Sequence, residues 1–236
     1  MNYAHYCELA DLLDFPRAEF ADRGRALLGL LRTDYRDAAA EVEQFLHAIP
    51  QDVVDLQELH TRTFDVQSLT TLDLGYVMFG DDYKRGELLS NLTREHAQAE
   101  NDCRGELADH LPNVLRLIPK LKDRDLVGEL VREIVAPALA LMIREFEPER
   151  IEKKTASYRK HFKTVIDPAQ GCDPVAYRLA LQAVLDVIEK DFQLDEATTR
   201  RRDPHRRPQT MDFLRLVERE IEIEGNANPV NSGCDA

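Results

Sequence analysis

Apolar residues recur at spacings of three and four along nearly the whole chain, β-branched runs are scarce, and the ten glycines and eleven prolines are few for the length. The pattern predicts an all-α fold. Tyr3, Tyr6, Ala10 and Leu13 form one stripe that stops at Asp14-Phe15-Pro16, because proline disfavours helical geometry in the residue before it. Further helices are predicted at about Asp22 to Leu31, Asp37 to Ala48, Val53 to Phe64, Asp82 to Glu100, Asn113 to Leu121 and Asp123 to Glu145. In the last of these, Val127, Leu130, Ile134 and Leu141 keep one apolar face, while Pro137 removes a backbone donor and should bend or split the helix. A strongly amphipathic segment behind Asp173-Pro174 carries Leu181, Leu185, Ile188 and Phe192 on one stripe and should complete the bundle. From Gln193 the composition turns basic and proline-broken, through Arg200-Arg201-Arg202-Asp203-Pro204-His205-Arg206-Arg207-Pro208, and reads as a linker. A short amphipathic helix over Met211 to about Ile223 and a polar, partly disordered tail follow. The predicted organisation is a single-domain helical bundle at 1–192, with linker, short helix and tail at 193–236.

Composition narrows the function classes. A chain of 236 residues is large enough to bury one substantial core. No apolar run approaches the roughly 20 residues that span a bilayer, so no stable membrane insertion is expected. Met1-Asn2-Tyr3-Ala4-His5-Tyr6 lacks the basic and apolar regions of a secretory signal, which points to the cytoplasm. A formal net charge of −13 argues against nucleic acid as a partner, since phosphates repel a surplus of carboxylates, and suits a basic partner instead. Cys7, Cys103, Cys172 and Cys234 are far apart and form no CxxC pair, so free thiols are expected rather than a zinc site or a disulfide framework.

The usual signatures of catalysis are missing. The chain has no glycine-rich phosphate loop, no HExxH pair and no GxSxG nucleophile elbow. His60, His96 and His110 sit on different segments without paired ligands and read as surface or hydrogen-bonded histidines rather than metal ligands. Asp81 and Asp82 invite comparison with magnesium-binding aspartates, but no companion carboxylate motif accompanies them. The simpler reading is that Gly80 ends one helix in a left-handed turn and one of the two aspartates caps the next. No catalytic residue, metal or cofactor is therefore assigned.

Several stretches together resemble the nitrate reductase delta-subunit (NarJ-type) family of molybdenum-enzyme assembly chaperones, a TorD-like group. They are Leu9-Ala10-Asp11-Leu12-Leu13-Asp14-Phe15-Pro16, then Leu59-His60-Thr61-Arg62-Thr63-Phe64-Asp65 with Thr70-Thr71-Leu72, then Phe79-Gly80-Asp81-Asp82-Tyr83-Lys84-Arg85-Gly86-Glu87-Leu88-Leu89. Glu106-Leu107-Ala108-Asp109-His110-Leu111-Pro112 and Ile134-Val135-Ala136-Pro137-Ala138-Leu139-Ala140-Leu141 follow in the family's order, with Ala108 in place of its usual proline. The resemblance implies a cytoplasmic chaperone, not an enzyme. Its partner would be the catalytic (alpha) subunit of a molybdenum oxidoreductase, bound through the N-terminal leader while molybdenum cofactor and iron–sulfur clusters are inserted. A leader with arginines and an apolar stretch needs apolar helix faces beside carboxylates. Asp65, Asp81, Asp82 and Glu87 are the candidate peptide-binding residues, and Phe64, Gly80, Arg85, Gly86, Asp109, His110, Leu111 and Pro112 the structural motif. Gly86 is expected to let its helix approach a neighbour closely, and Arg85 to pair with a carboxylate such as Asp65 or Asp109. Two other functions remain compatible with the residues: a helical adaptor for another basic peptide, and a metal-dependent phosphohydrolase built on Asp81 and Asp82.

Overall fold

In the computed structural model, which describes residues 3–161, 173 and 175–195, about 72% of the described residues are helical and none forms a strand. The fold is all-α, as the apolar periodicity requires. The chain runs through α1 (His5–Leu13), α2 (Phe20–Asp34), α3 (Arg36–Ala48), α4 (Val53–Phe64), α5 (Leu74–Phe79) and α6 (Tyr83–Gln98). It continues through α7 (Leu111–Leu117), α8 (Arg124–Leu130), α9 (Ala136–Arg144), α10 (Pro148–His161) and α11 (Ala176–Phe192). Most of the predicted linker, the predicted helix at Met211 to Ile223, the tail, Pro174, Cys172 and Cys234 lie outside the described residues. Cys7 and Cys103 are free thiols.

Local signals set many of the boundaries. The carboxylate of Asp52 accepts the Val54 and Asp55 amides and opens α4, and Asp123 does the same for Asp125 and Leu126 at the start of α8. Ahead of Pro16, Asp14 is extended and ends α1. The long predicted helix around Pro137 is divided without a break in the path. Val131–Val135 forms a π-helical turn in which the Ala136 amide bonds to the Val131 carbonyl, and α9 begins with Pro137 in its first turn. A widened turn one residue ahead of a proline absorbs the missing donor, so the chain continues into α9 rather than stopping. Helix α10 is not among the predicted ones, and α5 is foreseen only through its end at Gly80. The former has a mostly charged sequence with a weak apolar stripe, and the latter is a single turn and a half.

Helix α11 is the centre of the bundle. Tyr177, Ala180, Leu181, Val184, Leu185 and Ile188 are fully buried as it packs on α3, α9 and α1. Small residues at Ala176, Ala180 and Ala183 let neighbouring helices come close on that face. Around Tyr177 lies a ring cluster of Phe45, His60 and Phe64, with centroids 5.0–5.5 Å from it. Phe192 of the predicted stripe stacks on Tyr3 at 5.4 Å.

Two charged knots tie the helices together. Arg116 of α7 is nearly buried and donates to Asp11 and to Asp14 of the α1 end, both at 2.5 Å. At the far end of α11, Asp191 accepts from His5 at 2.9 Å and from the Tyr35 hydroxyl at 2.6 Å. Burial pushes the Asp191 carboxyl up, but these hydrogen bonds outweigh it and hold it below its ordinary value. No helix among the described residues is long and apolar enough to cross a membrane.

Candidate peptide-binding site

The Thr71–Asp73 segment and the Asp109–Leu111 segment meet in a short antiparallel contact, although the bridged pair Asp73 and His110 is 37 positions apart in the chain. The Leu74 amide donates to the Asp109 carbonyl at 3.0 Å and the Leu111 amide to the Leu72 carbonyl at 2.9 Å. This pairing places the Asp109 carboxylate over the start of α5, where Oδ2 accepts the Gly75 amide at 3.0 Å. Asp109 therefore caps a helix that belongs to another part of the sequence. Asp73, the residue in the N-cap position, makes no cap bond of its own. Its carboxylate accepts instead from Arg85 at 3.0 Å and from His110 Nδ1 at 3.3 Å.

Arg85 joins the two aspartates. Besides its bond to Asp73, its Nε stands 3.5 Å from Asp109 Oδ2, an ion-pair separation, and its guanidinium lies 5.2 Å from the centroid of the Tyr76 ring. The His110 hydrogen bond, aided by the charges of His110 and Arg85, holds the Asp73 carboxyl below its ordinary value of 3.8. Asp109 moves the other way: complete burial and the charge of Asp73 raise it, with Arg85 only partly offsetting them.

The predicted motif residues fall into two groups. Phe64, Leu111, Pro112 and Asp109 are buried and structural, with Pro112 in the first turn of α7, where its missing N–H costs nothing. Gly80 has φ +64 and ψ −139, a conformation that glycine alone adopts readily, and it ends α5 as expected. Asp82 is the capping aspartate, accepting the Lys84 amide at 3.1 Å to open α6. Arg85 pairs with Asp109, as one of the two expected partners, and with Asp73, which the sequence reading missed; Asp65 is not its partner.

The reading of Gly86 is overturned. Gly86 is exposed on α6, and a Cβ there would meet nothing within 4 Å. The close approach belongs to Gly75, where a Cβ would lie 2.7 Å from Asp109 Oδ2, 3.1 Å from Arg85 Cγ and 3.2 Å from Leu88 Cδ2. A helix start that takes its cap from a buried carboxylate on another segment leaves no room for a side chain.

Of the candidate contact residues, Asp81 and Asp82 are exposed in the α5–α6 turn, Glu87 is half-buried one turn into α6, and Asp65 is exposed at the end of α4. Two aromatics flank that turn: Tyr76 on α5 is 46% exposed and Tyr83, the first residue of α6, is 77% exposed. Val66, beside Asp65, is exposed as well. Helix α10 supports the intervening loop, with Tyr158 donating to the Ser68 carbonyl at 3.0 Å and Lys154 to that of Leu69. The result is an open surface of exposed aromatic rings beside carboxylates, resting on the Asp73–Arg85–Asp109 junction. The sequence reading missed Asp73, Gly75, Tyr76 and Tyr83; only the D-x-G spacing of Asp73 and Gly75 hinted at a helix start there.

Among the described residues, no three His, Cys, Asp or Glu side chains converge as metal ligands would. His60 and His96 serve the core. His60 Nε2 donates to the Leu13 carbonyl at the end of α1, and His96 Nε2 to that of Ala108, while His96 Nδ1 accepts from Asn101 at 2.8 Å. Burial depresses both imidazoles below their ordinary value of 6.5. Comparison of the chain with protein-family models and with curated proteins finds no match in either.

Proposed function

We propose that this chain is a non-enzymatic, system-specific chaperone that binds the N-terminal leader of the catalytic subunit of a molybdenum-bis(pyranopterin) oxidoreductase of the nitrate reductase type. It holds that subunit in the cytoplasm for cofactor and iron–sulfur insertion before membrane attachment or export. The observation that carries this reading is the meeting of three separate NarJ-like sequence blocks at one junction. Asp73 follows the Thr70-Thr71-Leu72 stretch, Arg85 lies in the Phe79–Leu89 block, and Asp109 and His110 lie in the Glu106–Pro112 block. Above that junction lie exposed tyrosines and carboxylates, a combination that suits a basic, partly apolar segment.

Apolar burial supplies most of the affinity and the carboxylates mainly steer the encounter, because exposed ion pairs contribute about 0–1 kcal/mol each. Calorimetry with a synthetic leader should therefore show a negative heat-capacity change and a moderate loss of affinity with salt. Tyr83→Ser and Tyr76→Ser should each weaken binding by roughly 5- to 30-fold, or about 1–2 kcal/mol, more than Asp81→Asn does. Serine in place of the leader's apolar residues should cost more than neutralising its basic ones. Silent apolar changes on both sides, or full-length client binding without leader binding, would refute the proposal for this surface.

A further inference from the structure

A cavity on another face of the bundle has no part in that proposal. Where α9 packs along α11, a space of about 330 Å³ stays open. Ala140, Ile143 and Arg144 lie on one face of α9, and Glu147 follows in the turn behind them. Across from these, Arg178, Gln182 and Leu185 share one face of α11, because positions three and four apart line up along a helix. Ala140 and Leu185 are buried and close the inner end, so the floor is apolar while the arginines and the glutamine make its walls polar.

The walls are cationic on a chain whose net charge is −13. Other arginines of the bundle are taken up by carboxylates: Arg85 by Asp73 and Asp109, Arg116 by Asp11 and Asp14, Arg150 by Glu145 and Glu147. Glu147, the carboxylate that lines the cavity, is thus already engaged by Arg150 at 3.6 Å. Gln182 donates to Asp186 at 2.7 Å, which leaves its carbonyl oxygen as an acceptor. Among the described residues, neither Arg144 nor Arg178 is in an ion pair or a side-chain hydrogen bond. Glu41 of α3 feels the charge of Arg178 without pairing with it, and burial and the charge of Asp186 raise its carboxyl instead.

We infer that this cavity binds a small soluble phosphate monoester, with the phosphoryl group held by Arg144 and Arg178 and an apolar body on Ala140, Ile143 and Leu185. A guanidinium presents a fork of N–H donors that matches a phosphate edge, and a dianion with three terminal oxygens can accept from two such forks at once. A carboxylate, with one charge and two oxygens, satisfies one fork. The volume is at the small end for an organic ligand, and the apolar floor gives a purely inorganic anion nothing to cover. The site shares no residue with the surface proposed for the leader, so either can fail without the other.

Phenyl phosphate titrated into the full chain, followed through backbone amide shifts, tests this. Saturable shifts confined to α9, the turn behind it and α11 are expected. Arg144→Ala and Arg178→Ala should each weaken binding about tenfold or more, and Arg178→Lys should recover only part, while the bundle melts as before. Arg36→Ala, on the exposed start of α3, should leave binding unchanged. Phenol and inorganic phosphate, which each keep one half of the ligand, should bind at least severalfold more weakly, and so should benzoate. No saturable binding of phenyl phosphate overturns the inference, as does binding that ignores both arginine substitutions. Phenol, benzoate or inorganic phosphate binding as tightly as phenyl phosphate overturns it too. Sedimentation of the chain with anionic lipid vesicles, lost when both arginines are replaced, assigns them to a membrane surface and overturns it as well.

Discussion

Gly75→Ala adds one methyl group at the point where α5, α6 and the Asp109 segment converge, and its effect can be worked out from the distances. The new Cβ stands 2.7 Å from Asp109 Oδ2 and within 3.2 Å of Arg85 Cγ and Leu88 Cδ2. Asp109 and Leu88 are fully buried, so neither can swing into solvent. Displacing the carboxylate lengthens its bond to the Gly75 amide and its ion pair with Arg85. A hydrogen bond to a charged group is worth about 1.5–3 kcal/mol, overpacking adds about 1–3 kcal/mol, and the better helix propensity of alanine returns at most about 1 kcal/mol. The net expectation is a loss of about 1.5–6 kcal/mol. For a domain of this size each kcal/mol corresponds to roughly 2–4 °C, so Tm should fall by about 3–24 °C. Gly86→Ala is the matched control: the site is open, and the same substitution should stabilise by up to about 1 kcal/mol. Urea unfolding followed by helical circular dichroism measures both. A cycle with Asp109→Ala adds a second criterion, since removing the carboxylate should make Gly75→Ala much less costly. If Gly75→Ala changes stability by less than about 0.5 kcal/mol, the junction yields freely and the tight packing at Gly75 does not hold the surface proposed for the leader.

Two further predictions follow from the buried polar groups. His60 and His96 have folded-state values below 6.5, so each contributes stability that is complete above about pH 6.5 and is lost as pH falls through the folded value; urea midpoints should drop on acidification from pH 7 toward 5, and His96→Gln should flatten that dependence. Arg116→Ala leaves the Asp11 and Asp14 carboxylates without their shared cation between α1 and α7 and should destabilise by about 2–3 kcal/mol, discounted from a fully buried pair because both aspartates keep some solvent contact; Arg116→Lys should recover less than half, since one ammonium cannot reproduce a guanidinium that donates to both.

What the sequence determined by itself are the features that depend on residues within a turn or two of one another. The Asp52 cap and the start of α4, the Asp82 cap, the positive φ at Gly80, the end of α1 before Pro16 and the disturbance ahead of Pro137 all arise from near neighbours. The apolar stripe of α11 likewise announced a core helix, because a period of 3.6 residues is written along the chain. What the tertiary structure decided are contacts across long separations. That Asp109 caps α5, that Arg85 bridges it to Asp73, and that Gly75 rather than Gly86 is the tight glycine all depend on which segments lie side by side. The same holds for Tyr76 and Tyr83, which have the composition of core residues and became surface only when the α5–α6 turn faced outward. Helix periodicity names the face a helix will bury, but it carries no information about what that face will meet. The candidate site is made of such meetings, and they exist only after the bundle has formed.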